Sequence, residues 1–215
     1  VSTLGVAAKH NFEIVVVRHG RTAWNATGRF QGRTDIPLDD EGRAQAGDVG
    51  RMLAGERFDA AVTSDLARAR ETAEIVLGER DVALAIDPRW GEMRFGTWEG
   101  LTWSEIVARQ PELAGRSSTS PRYYTPPGGE SFDELCARVA EALAALDARV
   151  HDGARALVAT HAGPLHALLR VALGQAEADA LGIRFAPASC TRVALGPDGA
   201  RILDLNRTAP DAAAR

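Results

Sequence analysis

Three short stretches of this chain set reactive side chains at the ends of apolar, strand-like runs. Phe12 to Val17 leads into Arg18-His19-Gly20, Asp59 to Thr63 into Ser64-Asp65-Leu66-Ala67-Arg68, and Ala156 to Thr160 into His161-Ala162-Gly163. Turn or helix-start residues follow each run, and free backbone N–H groups there favour anions. In an open α/β sheet, ligands bind beyond the carboxyl ends of strands, so two histidines and two arginines would share one rim. Arginine grips phosphate or carboxylate with a planar, two-pronged fork. Arg68 falls in the first turn of its helix, where a cation opposes the helix dipole. A bound anion explains it there; a solvated surface arginine is the bland alternative. His19 alone would be structural more often than catalytic, and gains weight from Arg18 and Gly20 on either side. His161 reads as functional by the same context, or as a buried histidine donating to a carbonyl. His166 reads as packing, and His10 and His151 as exposed.

The elements that must position these side chains alternate in type. Phe12 to Val17 predicts a buried strand, followed by a polar loop to Asp40. Glu41 to Glu56 predicts a helix with Ala44, Val49, Met52 and Leu53 inward, and Asp59 to Thr63 a short strand. Ser64 and Asp65 suit the N-cap of the next helix, which turns Leu66, Ala69, Ala73 and Val76 inward. Val82 to Ile86 predicts another strand, Pro88 to Gly100 a loop holding Trp90, Glu92 and Trp98, and Trp103 to Arg109 a short helix. Ser131-x-x-Glu134 is a capping box. It opens a helix with Phe132, Leu135, Cys136, Val139, Leu143, Leu146 and Val150 at helical spacing. Pro164 fits the first turn of the helix after His161. Thr191 to Leu195 and Arg201 to Leu205 predict a hairpin around Gly196-Pro197-Asp198-Gly199, with a frayed tail from Asn206. This alternation predicts a three-layer α/β/α sandwich around a mostly parallel central sheet. Residues 1–215 read as a single domain, with a Pro/Gly-rich insertion near 111–129 placed to cover a site.

Composition removes several chemistries. Lys9 is the only lysine, so the other 24 of the 25 basic residues are arginine. A P-loop needs an internal Gly-Lys-Ser/Thr, and Schiff-base enzymes need a buried lysine; Lys9 suits neither. A formal charge of -4 gives no reason to expect nucleic acid. Cys136 and Cys190 make no disulfide framework, and there is no Cys-x-x-Cys for zinc. No apolar run spans a bilayer, and the first residues lack a signal peptide's basic start and apolar core, so a cytoplasmic protein is expected. Arg138, Arg149 and Arg155 read as ordinary solvated cations.

The reactive stretches belong to a longer ordered series. Arg18-His19-Gly20-Arg21-Thr22-Ala23-Trp24-Asn25 is followed by Gly28-Arg29-Phe30-Gln31-Gly32, Thr34-Asp35-Ile36-Pro37-Leu38 and Ser64-Asp65-Leu66-x-Arg68-Ala69-x-Glu71-Thr72-Ala73. Then come Glu92-Met93-Arg94-Phe95-Gly96-Thr97-Trp98-Glu99-Gly100, Pro127-Gly128-Gly129-Glu130-Ser131 and Thr160-His161-Ala162-Gly163. Together these blocks resemble the histidine phosphatase superfamily in its phosphoglycerate-mutase-like branch, of the broad-specificity phosphatase type.

The resemblance implies that His19 attacks phosphorus and becomes phosphohistidine, inside a clamp of Arg18, Arg68 and His161. It makes Glu92 the proton donor to the leaving alkoxide, with Glu99 structural. It places Asn25, Gln31, Gly32, Arg21, Thr22 and Ala162 at the substrate. Arginines then supply the charge, so neither a metal nor another cofactor is expected. The partner is a small phosphorylated metabolite, with no nucleic acid and no membrane, and a homodimer stays open. Arg21, Arg29, Arg33, Arg94, Tyr123 and Tyr124 are candidates for substrate recognition. Mutases of this family usually carry a longer insertion with adjacent arginines. Here Leu101 to Gly129 is short and Arg116 and Arg122 are isolated, which favours hydrolysis over a cofactor-dependent mutase. A non-catalytic phosphate-binding pseudophosphatase usually lacks the nucleophile or the acid, and both are present.

Overall fold

A computed structural model describes residues 8–115 and 124–209. Arg116, Arg122, Tyr123 and the middle of the expected lid lie outside the described residues. The chain runs β1 (Phe12–Arg18), α1 (Ala23–Ala26), α2 (Asp40–Met52), β2 (Ala60–Thr63), α3 (Ala67–Leu77), β3 (Leu84–Ile86), α4 (Trp103–Arg109) and α5 (Phe132–Asp147). It closes with β4 (Arg155–Thr160), α6 (Ala162–Leu173), α7 (Gln175–Ala180), β5 (Cys190–Gly196) and β6 (Gly199–Arg207). One six-stranded sheet has the order β3-β2-β4-β1-β5-β6. The first four strands in that order are parallel neighbours, and β5 and β6 are added antiparallel.

Side-chain alternation along β1 builds the three layers. Ile14 and Val16 join one buried cluster with Leu135, Val139 and Leu143 of α5 and Leu165, Leu168 and Leu169 of α6. Val15 and Val17 join the other with Val49 of α2, Leu53, and Val76 and Leu77 of α3. A strand apolar on both faces needs cover on both, which is why Phe12 to Val17 reads as an unbroken run. Among the described residues no helix is long and apolar enough to cross a membrane.

Some local expectations change. The α3 N-cap is Leu66, which offers no side-chain cap; Ala67 N–H instead donates to Asp35 Oδ1 at 2.8 Å. Asp65 is taken by Arg33 at 2.8 Å. Asn206 is not frayed: it stays within β6 at φ 52°, its Oδ1 accepting Ala186 N–H and its Nδ2 donating to the Arg184 carbonyl. Arg138 and Arg155 are not free cations. Arg138 donates to the Arg89 and Glu92 carbonyls and pairs with buried Glu130, while Arg155 pairs with Glu13 and Glu56. His10 is tied to Asp147 at 3.2 Å.

Candidate active site

The order β2-β4-β1 brings the three reactive strand ends side by side. His19 follows β1, Ser64 follows β2, and His161 follows β4 to cap α6. The loop after β3 adds Glu92 at the same end. Thr160 Oγ1 donates to the Trp90 carbonyl at 2.5 Å, and Arg138 Nη2 donates to the Glu92 carbonyl at 2.9 Å, so strand β4 and helix α5 hold this loop from two directions.

His19 is 2% exposed, and its Nδ1 lies 2.7 Å from the Gly20 carbonyl. A carbonyl only accepts, so Nδ1 carries the ring proton and Nε2 keeps its lone pair. The His19 and His161 ring centres are 5.0 Å apart. Burial first, then the Arg68 and Arg18 charges, hold the His19 pKa well below 6.5. Burial followed by Arg68 does the same to His161. Both imidazoles are therefore neutral at physiological pH.

Ser64 was not expected here. Its hydroxyl accepts Leu66 N–H at 3.1 Å and lies 2.8 Å from His161 Nε2. Among the described partners, that nitrogen is the acceptor available to the hydroxyl proton. His161 then carries its own proton on Nδ1, a fully buried atom with no partner among the described residues, and becomes a neutral donor awaiting an acceptor.

Among the described residues, the two arginines are fastened by carbonyls and not by carboxylates. Arg18 donates to the Phe185 carbonyl at 2.5 Å, and burial lowers its pKa to about 10. Arg68, fully buried, donates to the Gly32 and Thr34 carbonyls at 2.8 and 2.9 Å. The Nε of each is buried without a partner among the described residues. Glu99 pins the loop that Arg68 reaches: it accepts Arg33 N–H, Thr34 N–H and the Thr34 hydroxyl. Gly32 sits at φ +54°, and a Cβ there would meet Glu99 Oε1 at 2.1 Å. The structural part expected of Glu99 matches this geometry.

Glu92 is 8% exposed and accepts N–H bonds from Met93 at 2.8 Å and Gly163 at 3.0 Å, both on Oε1. Burial outweighs these bonds and raises its pKa above the ordinary 4.5, which favours the protonated, donating form. A Cβ at position 163 would strike Glu92 Oε1 at 2.3 Å, so glycine is required for this approach.

These groups open onto a cavity of about 570 Å³. Arg18, His19, Glu92, Asn25, Gln31 and Ala162 line it, while Arg68 and His161 stand buried behind. Asn25 Oδ1 accepts from Thr22 N–H and Oγ1, leaving Nδ2 to donate; Thr22 thus orients Asn25 and is itself fully buried off the wall. Gln31 Oε1 is buried and unpartnered among the described residues. Gly32 contributes its carbonyl to Arg68. Arg21 departs from expectation: its guanidinium pairs with Asp39 at 2.8 Å and with Glu41, away from the cavity wall. His166 and Phe185, in edge-to-face contact at 4.9 Å, also line the cavity, as does Arg184. No motif in the sequence marked the segment around Arg184.

The sequence profile of the histidine phosphatase superfamily, branch 1, matches residues 14–208. A metal-independent phosphoserine phosphatase of Arabidopsis thaliana is 39% identical over 159 residues, which cover 73% of this chain and 66%, just under two thirds, of that protein. The phosphoglycerate mutase-like protein 4 of the same plant is 40% identical over 161 residues, covering 73% and 69%. Among solved structures, a mycobacterial glucosyl-3-phosphoglycerate phosphatase, in complex with VO3, superposes with a TM-score of 0.79 at 28% identity, covering 91% of this chain and 99% of that one.

Proposed function

The chain belongs to the histidine phosphatase superfamily, branch 1, and we propose that it hydrolyses small phosphomonoesters through a phosphohistidine on His19, without a metal. The observation that carries this reading is the lone pair of His19 Nε2, fixed by the Nδ1 contact to Gly20 and accompanied by buried donors on Arg18, Arg68 and His161 that have no partner among the described residues. A phosphoryl group in transfer spreads charge over its equatorial oxygens, and positioned donors stabilise it.

In the first step Nε2 attacks phosphorus, the P–N bond forms and the P–O bond to the leaving group breaks. Glu92 gives its proton to the departing alkoxide. Water then attacks the phosphohistidine, returns a proton to Glu92, and releases inorganic phosphate and a neutral imidazole. The phosphatases among the relatives, one of them called metal-independent, support the reading. A mutase, suggested by the name of the second plant relative, would instead move phosphate between positions of phosphoglycerate with a bisphosphorylated primer.

The test is p-nitrophenyl phosphate turnover by wild type and His19→Ala in excess chelator. Wild type should release phosphate at an undiminished rate, and His19→Ala should fall to background. Equal rates from the two proteins, or a strict need for added metal, would remove the proposal.

A further inference from the structure

The cavity extends well beyond the space a phosphate needs, and its remaining wall has a definite chemistry. Pockets of this size usually pair apolar walls with a few placed polar groups. Here Phe30, Phe95, Phe132, Phe185, Met93 and Ile183 supply the apolar surface. Phe30 and Phe95 meet edge-to-face at 5.0 Å, as Phe185 does with His166. These are buried or half-buried rings held by neighbours, so an incoming ring meets a preformed surface.

The charges on the wall are as one-sided as its surface is apolar. Glu92 is the one carboxylate among the described lining residues, and it must stay protonated to serve as the acid. Three arginines line the same space. Arg18 faces the phosphate end. Arg29 is neutralised by Glu105 at 2.9 Å and donates to the Gly100 carbonyl. Arg184 is exposed, has no carboxylate partner among the described residues, and is close enough that its charge lowers the pKa of Arg18. An ammonium group entering this cavity would lose water beside cations, with no ionised carboxylate among the described lining residues to receive it.

From this wall we infer that the preferred substrates are phosphomonoesters of ring-bearing, apolar alcohols or phenols that carry a carboxylate or other anion for Arg184, and that substrates with an ammonium group, such as phosphoserine, are selected against. The inference rests on the phosphatase reading and names the substrate class of that same site. It separates this chain from the phosphoserine specificity in the name of its plant relative.

Three phenyl phosphates of closely matched leaving group test it: 4-ethylphenyl phosphate, 3-(4-phosphonooxyphenyl)propanoate and O-phosphotyrosine. They differ by a carboxylate and then by an added ammonium. The expected kcat/KM for the propanoate exceeds that for 4-ethylphenyl phosphate about fivefold, the scale of one exposed charge pair. It exceeds that for phosphotyrosine about tenfold or more. In Arg184→Gln the ratio between the propanoate and the ethyl compound falls towards one. 3-Phosphoglycerate, with the carboxylate but no ring, shows the higher KM. Phosphotyrosine turned over as well as the propanoate, or no carboxylate advantage in wild type, overturns the inference while leaving the phosphatase reading standing. No phosphate release from any of the four overturns both.

Discussion

The two ends of β1 hold their arginines in opposite ways. Near its start, Glu13 and Glu56 close a ring with Arg155 and Arg192: Glu13 meets Arg155 at 3.0 Å and Arg192 at 2.6 Å, and Glu56 meets Arg192 at 2.9 Å and Arg155 at 3.4 Å. Two cations face two anions, and the ring staples β1, β4 and β5 to the segment between α2 and β2. About 16 Å further along the strand, five residues at about 3.3 Å each, stands Arg18, with Arg68 of α3 at the same rim; among the described residues neither has a carboxylate partner, and each keeps a buried Nε–H unpaired. Buried, uncompensated cations cost stability. The first region is arginine used as a fastener. The second is a site left electrostatically incomplete, which an external anion completes.

The sharpest break comes from Glu92→Gln, which keeps the N–H contacts to Met93 and Gly163 but removes the proton donor. It should lower kcat for alkyl phosphates by about 10²–10⁴-fold, with a smaller loss for p-nitrophenyl phosphate, whose leaving group needs no proton. Wild-type kcat/KM should fall as pH rises through the elevated Glu92 pKa, because the acid form is lost. Since His19 is held well below 6.5, no acid limb should appear near neutrality. Glu92→Gln should lack the basic limb in a pH–rate profile.

Arg68→Met should cost about 10²–10³-fold in kcat, the scale of one lost donor to developing charge. It should also abolish the rise in Tm that saturating phosphate gives wild type, a linkage effect that needs binding to the native state.

Ser64→Ala should cost about tenfold in kcat and let His161 sample the Nε2–H form, visible in the ¹⁵N shifts of its ring. Ser64→Thr, which retains the hydroxyl, should restore both; unchanged shifts in Ser64→Ala would leave Ser64 a mere turn residue.

The smallest kinetic effect belongs to the paired end. Glu13→Gln should leave kcat/KM unchanged and remove about 1 kcal/mol of stability, a Tm loss of about 2–4 °C for a chain of this size. A kinetic loss comparable to that of Arg68→Met would erase the contrast between the two ends.

Local pattern made the rim legible. The apolar runs before Arg18, Ser64 and His161 pointed to the strands β1, β2 and β4, and the position of Arg68 in a first turn singled it out as a residue suited to an anion. What stayed hidden depends on contacts distant in sequence. Ser64 reads as an N-cap because Ser before a helix usually is one; its partner His161 lies 97 residues away. Asp35 caps α3 from 32 residues away, which no local rule detects. Arg138 and Arg155 look solvated by periodicity, since a period gives the face of an element and not the carbonyl or carboxylate across from it. The short α1 and α7 carry too few residues for a periodic signal. The Arg184 segment lies on a loop, where position comes from the fold and not from propensity.

The most direct measurement is mass spectrometry of enzyme quenched at alkaline pH during turnover of a slow alkyl phosphate, with chelator present. The account predicts a single acid-labile phosphoryl adduct on His19, on Nε2 of the ring, absent from His19→Ala. Sustained phosphate release with no adduct on His19, or with the phosphoryl group on His161, would contradict it.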